Sequence, residues 1–212
     1  MPSLREIVSA HGHLLLLDAV SERIQVGRWT ADGERWAEST EEAGLGLFRC
    51  LDELSMDVAA VQAFAFCEGP GSILGIRTAA MAIRTWLALA PRPCFRYQSL
   101  AVVSAGVGDP SFSIVADARR ENWHVFRPGS PLRRVPRAEL TGPCVMPEGF
   151  RSWSAAPDGM MTRPYRLRDL FARPEVAGAD LFSLTDAPDA FLHEEPEYVT
   201  WTPQIHRAPV TP

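Results

Sequence analysis

Apolar residues run unbroken from Leu14 to Leu17 and stop on Asp18, and residues 24 to 29 then alternate apolar with polar. That pattern predicts two strands, over 13–18 and 24–29, joined by a turn at 20–22. A third strand at 34–38 follows the turn at Asp32 and Gly33 and completes a meander. Ser39 or Thr40 is then placed to cap a helix whose first turn holds Glu41 and Glu42, where the helix dipole favours anions. Leu45, Phe48, Leu51 and Leu54 recur at helical spacing and give this helix an apolar face.

The stretch 58–66, apolar at every position but Gln62, predicts a strand buried on both faces. It stops at Glu68-Gly69-Pro70-Gly71-Ser72, after which Ile76, Ala79, Ala80, Ile83, Trp86 and Leu87 mark a second amphipathic helix, closed by Pro91. A strand at 94–97 and a helix at 99–105 complete the first half, and Gly106, Gly108 and Pro110 mark a boundary. The second half restarts with strands at 112–117 and 122–126 around the polar turn 119–121. Beyond Pro128 the pattern fades, leaving one helix expected at 164–172 and an irregular tail from Pro196. The order of strands and helices indicates an α/β protein with mixed sheets covered by helices, in two domains, 1–106 and 107–212. Each half opens with a hairpin whose first strand ends on an Asp.

Composition narrows the chemistry. Of the 212 residues, 46% are hydrophobic and 22% charged, enough to build a real core. All 21 basic residues are arginine, so a Schiff-base lysine, a P-loop lysine and a kinase strand lysine are excluded. The net charge of -5 argues against a broad nucleic-acid footprint. Cys50, Cys67, Cys94 and Cys144 form no CxxC pair and read as buried, reduced thiols. The apolar run at 14–17 is far too short for a bilayer, so a cytoplasmic protein without membrane contact is expected.

The segment Cys67-Glu68-Gly69-Pro70-Gly71-Ser72-Ile73-Leu74-Gly75-Ile76-Arg77 carries the most information. Its glycines permit positive φ or close backbone approach, its proline fixes the turn, and Ser72 can cap the helix that follows. The segment resembles the GPGSFTGLR motif of the TsaB family. Residues 15–21 are similar to that family's opening strand ending in Asp-Thr-Ser/Thr, Tyr97-Gln98-Ser99-Leu100 to its Val-Ser-Ser-Leu, and 114–119 (IVADAR) to its Ile-Asp-Ala-Arg. The resemblance covers roughly the first 127 residues. Ile73 and Leu74 stand where Phe and Thr are usual, and Ala19 and Val20 replace polar residues.

The resemblance implies a two-domain actin-like (ribonuclease-H-like, ASKHA) fold, with a mixed five-stranded sheet in the first domain and a degenerate version in the second. It further implies a non-catalytic subunit of the complex that forms tRNA N6-threonylcarbamoyladenosine. A TsaD-type subunit would hold the catalytic site, a TsaE-type ATPase would join, tRNA would be met only indirectly, and the chain alone would pair with itself. No cofactor is implied for this chain.

The residues themselves point the same way. An active superfamily member needs glycine-donated amides for phosphates and a carboxylate for metal. Asp18 is placed for the carboxylate, but Ala19, Val20, Ser21 and Glu22 offer no glycine. Asp18 therefore reads as a remnant or a hydrogen-bonding strand-end residue and Ser72 as a helix cap, the alternative being a vestigial, weak nucleotide contact through Asp18, Gly69, Gly71 and Ser72. The G-x-S-x-G of a hydrolase is absent around Ser72, and His11, His13, His124, His193 and His206 form no paired metal motif. Asp117, Arg119, Arg120 and Glu121 read as a solvated hairpin turn. The helix at 73–89 is the candidate interface: Ala79 and Ala80 allow close approach, Ile76, Ile83 and Leu87 add apolar area, and Arg77, Arg84 and Trp86 are anchor types. With Leu45 and Phe48 of the preceding helix it would form a four-helix contact. The competing expectation is a small actin-like kinase or ATPase binding nucleotide through Asp18 and the glycine turn; a peptidase is a weaker third, lacking any visible nucleophile, base or metal set.

Overall fold

Ser3 and Glu6 cap each other reciprocally and start α1 (Leu4–His11), an element the apolar pattern does not reveal although its Ser-x-x-Glu signature is present. The computed structural model describes residues 1–191. The expected meander follows as β1 (Leu14–Asp18), β2 (Ile24–Thr30) and β3 (Gly33–Ser39), paired antiparallel with Leu16 opposite Gly27 and Gly27 opposite Trp36. Helix α2 (Ala43–Glu53) begins later than its expected cap, because the Ser39 hydroxyl accepts from the Glu41 N–H inside the turn instead of from a helical amide. Gly46, Leu47, Cys50 and Leu51 form its buried face.

The apolar stretch 58–66 is not one strand. Asp57 caps a short 3-10 turn at Val58–Ala60, and β4 runs over Ala63–Gly69, every residue buried, parallel to β1. Polar, exposed Gln62 separates the two pieces. Helix α3 (Ile73–Leu89) then packs on β4 and β1, and β5 (Cys94–Gln98) lies parallel to β4. These five strands take the order β5-β4-β1-β2-β3. Full burial of Leu14, Leu15, Leu16 and Leu17 anchors the core, at about 1.5–3 kcal/mol per side chain.

Helix α4 (Ser99–Val107) packs against both β5 and the second sheet. That sheet is built from β6 (Ser113–Asp117), β7 (Asn122–Phe126), β8 (Arg133–Pro136), β9 (Cys144–Pro147) and β10 (Met161–Arg163). Its order, β10-β9-β6-β7-β8, repeats the first: an antiparallel meander of three, a fourth strand parallel to the first, a fifth parallel to the fourth. The echo between the two Asp-ended hairpins is thus a repeat of topology. The second copy is reduced, since a 3-10 turn at Arg137–Glu139 and a loop replace the crossover helices.

The helix expected at 164–172 is shorter, α5 (Leu167–Phe171), because Pro164 and buried Tyr165 belong to the extended segment before it; α6 (Pro174–Ala177) follows. A two-residue β11 (Ser183–Leu184) then returns to the first sheet, antiparallel to β5, and makes it six-stranded. The expected tail from Pro196 lies outside the described residues. No helix among the described residues is long and apolar enough to cross a membrane.

Candidate functional site

β1 ends on Asp18, and the surrounding side chains close over it. The carboxylate has no solvent exposure. Its Oδ2 accepts from the Tyr97 hydroxyl at 2.6 Å and the Tyr165 hydroxyl at 2.7 Å, and its Oδ1 from the Val20 N–H at 3.3 Å. Tyr97 comes from β5, while Tyr165 comes from the second half of the chain. Burial pushes the Asp18 carboxyl above the usual carboxylate range, although both tyrosine bonds pull it down. Burial and the neighbouring Asp18 raise both phenols well above their ordinary value. Gln25 seals the same junction: its Nε2 donates to the Tyr165 carbonyl and its Oε1 accepts from the Leu167 N–H.

The glycine turn packs against the β1–β2 connection beside Asp18. The Ser72 N–H donates to the Val20 carbonyl at 2.7 Å, and Ser72 caps α3 by accepting from the Gly75 N–H. A Cβ at Gly71 would lie 2.4 Å from the Val20 carbonyl oxygen, and one at Gly75 would lie 1.9 Å from that of Ala19. These glycines therefore let the turn press against the β1–β2 connection of the same chain. Gly69 has φ of 121°, and the Pro70 carbonyl accepts from the Ser99 hydroxyl at 2.7 Å.

Asp117 is the counterpart of Asp18, the last residue of the first strand of its sheet, and it is held differently. It accepts N–H bonds from Arg119 at 2.6 Å, Trp153 at 2.7 Å and Ser154. Burial opposes the charge, but the Ser154, Arg119 and Trp153 amides outweigh it and hold the carboxyl below its ordinary value. A lowered carboxyl stabilises the fold above the ordinary carboxylate range and loses that contribution as pH falls through the native value. Asp117→Ala is therefore expected to melt below wild type at pH 7, with the gap narrowing in acid; equal gaps at pH 7 and pH 3 would contradict this. Arg119, Arg120 and Glu121 all take positive φ in the hairpin turn. Arg119, Arg134 and Arg151 line a cavity of about 270 Å3 between this hairpin and the glycine turn, with Trp153 and Ile73 also facing it.

The expected interface residues divide. Ile76, Ala79, Ala80 and Ile83 are buried in this chain's own core, so their side chains are not offered to another molecule; Trp86 and Leu87 are partly buried against it. Leu45, Phe48, Arg77 and Arg84 are exposed, joined by Leu74 and Met81, which sequence reasoning did not single out. Tyr97 and Tyr165 were likewise missed as site residues. Tyr97 lies in the Tyr97-Gln98-Ser99-Leu100 segment, whose spacing marks no site residue, and no local pattern marks Tyr165. The four cysteines are buried and free, and burial pushes Cys50 up to about 11 and Cys94 up to about 12, so neither is a thiolate nucleophile near neutrality. Among the described residues no three His, Cys, Asp or Glu side chains converge as metal ligands.

No protein-family model matches the chain, and no curated protein matches it. Solved structures do. YeaZ from Pseudomonas aeruginosa superimposes with a TM-score of 0.60 at 18% identity, covering 79% of this chain and 91% of that one. A protein described as similar to the peptidase YeaZ from Pseudomonas aeruginosa gives 0.56 at 19% identity, covering 76% and 89%. With two sheets of matching strand order around a shared helix, this chain has the α/β fold of YeaZ.

Proposed function

We propose that this chain is a non-catalytic partner subunit of the TsaB/YeaZ kind, supporting a TsaD-type catalytic subunit that forms N6-threonylcarbamoyladenosine in tRNA. The observation that carries the reading is the closure of Asp18: the carboxylate on which nucleotide chemistry would depend is fully buried under two tyrosine hydroxyls. The backbone N–H of Ser72, a candidate phosphate donor, is engaged by Val20. The motif resemblance and the YeaZ-like fold support the same reading. A TsaE-type ATPase would join the assembly, tRNA would be reached through the partner, and the site of action would be the cytoplasm.

The surface for the partner, or for a second copy when the chain is alone, is the outer side of α2 and α3. Leu45, Phe48, Leu74 and Met81 are each more than half exposed there, beside Arg77 and Arg84. Large exposed apolar side chains on neighbouring helices are a marker of association. A Leu74→Glu, Met81→Glu variant is expected to keep its melting temperature, lose self-association in sedimentation, and fail to co-purify with a TsaD-type subunit. Retained pairing with both would refute the surface. Titration with ATP and magnesium is expected to give no tight binding to the isolated chain. Micromolar binding with turnover would replace the subunit reading with that of a small actin-like kinase or ATPase.

A further inference from the structure

The β6–β7 turn gathers positive charge in a chain whose net charge is -5. Between residues 119 and 137 six arginines stand against one carboxylate, Glu121. Arg127 and Arg134 are engaged by the fold, the first through the Ser113 hydroxyl and the Thr141 carbonyl, the second through the Ala118 carbonyl. Arg119 and Arg120 project from the turn and are exposed. Arg137 joins them because its N–H donates to the Glu121 carbonyl at 2.8 Å, and its guanidinium donates to the Ala156 carbonyl at 3.2 Å. Arg151 and Trp153 stand alongside, since Asp117 at the base of the turn accepts from the Trp153 N–H. The Arg119 guanidinium lies 4.5 Å from the Trp153 ring centroid, and Trp153 is half exposed.

Arginines of the first sheet and its neighbours are neutralised. Arg23 and Arg166 meet Glu38, Arg49 meets Glu41 and Arg96 meets Glu68, at 2.7–3.1 Å. Among the described residues no carboxylate lies within ion-pair distance of Arg119, Arg120, Arg137 or Arg151. Asp117 does not compensate them, because three backbone N–H groups take up its oxygens. Uncompensated guanidinium groups suit phosphate oxygens, and an aromatic face under a guanidinium plane suits a stacked base. An acidic peptide would answer the charge but not the ring. A nucleic-acid duplex would answer the charge while keeping its base faces inside its own stack. A single strand answers both.

We propose that Arg119, Arg120, Arg137, Arg151 and Trp153 form a binding surface for a single-stranded nucleic-acid segment, with the guanidinium groups on its phosphates and the Arg119–Trp153 stack against a base. The footprint is narrow, which an overall acidic chain tolerates. The inference stands apart from the partner-subunit reading: it concerns the isolated chain, and its failure would leave co-purification with a catalytic subunit untouched. Fluorescence anisotropy tests it, with the full chain titrated into a short labelled RNA without secondary structure, and into DNA of the same sequence. Wild type is expected to bind both in the micromolar range at about 50 mM salt and to weaken as salt rises. An Arg120→Gln, Arg151→Gln variant is expected to lower the slope of log affinity against log salt by roughly 1.4, the share of two phosphate contacts. Trp153→Ala is expected to weaken binding about five- to hundredfold with the slope unchanged, and Trp153→Phe to restore most of the loss. The bonds to Asp117 come from the Trp153 backbone, so these side-chain changes leave them in place, and melting temperatures serve as the folding control. No binding by wild type would overturn the proposal, as would an unaltered salt slope in the arginine variant. Displacement by a charge-matched oligoglutamate as complete as that by unlabelled RNA would also overturn it and assign the surface to an acidic protein segment.

Discussion

Gly75→Ala is expected to lower the melting temperature by roughly 6–12 °C, the response of a chain of this size to a loss of about 3 kcal/mol. The added methyl would sit 1.9 Å from the Ala19 carbonyl oxygen. Neither atom belongs to a flexible side chain, so the start of α3 has to lift off the β1–β2 connection. That movement would loosen the Ser72 N–H bond to Val20 and disturb the packing of Ile76 and Ala79 beneath it. Gly44→Ala is the matched control, because a Cβ there meets nothing within 4 Å and α2 gains a better helix former. Thermal unfolding of the two variants side by side decides the matter. If they melted together, the glycine turn would not be clamped and its glycines would need another explanation.

Tyr165→Phe is expected to cost about 1.5–3 kcal/mol, since it removes a hydroxyl donor from a buried carboxylate. On the same scale that is roughly 3–12 °C in melting temperature. The pH dependence carries a distinct sign. The native state raises the Asp18 carboxyl above its ordinary value, so between that value and the raised one it binds more proton than the unfolded chain. Stability therefore falls as pH rises through that window and levels off above it. Removing the charge with Asp18→Asn should flatten this component in denaturant titrations between pH 4 and pH 8; an unchanged slope would show that Asp18 does not titrate there. Asp117 has the opposite signature, although it occupies the equivalent position of the repeated sheet. Two carboxylates in one topological place thus differ because tyrosine hydroxyls surround one and backbone amides surround the other.

Much of the first half was legible in the sequence because its elements are locally determined. Helix α3 follows the cap at Ser72 and the spacing of Ile76, Ala79 and Ile83, and the expected face of that helix is buried. The same spacing could not say whether the face meets this chain or another one. Burial assigns it to the core and leaves Leu74 and Met81 outside. Stretch 58–66 misled because Val58 and Ala60 are as apolar as a strand, while the Asp57 cap that makes them a turn is a single side-chain bond. In the second half, β9 and β10 are four and three residues long and pair with partners far away in sequence, leaving little local signal. The lid over Asp18 was the least legible feature. Its Tyr165 bond spans 147 positions, a separation that no motif spacing encodes.

The return of Ser183–Leu184 to β5 has a consequence for how the chain can be cut. A sheet margin with unpaired N–H and C=O groups invites pairing between molecules. At the β3 margin, exposed Glu34 and Arg35 discourage such pairing. The β5 margin carries buried Cys94, Phe95 and Tyr97 and is covered by β11. During synthesis that apolar margin stays open until residues 183–184 have emerged, so fragments ending near residue 106 are set up to aggregate even though the strands they contain are correctly specified.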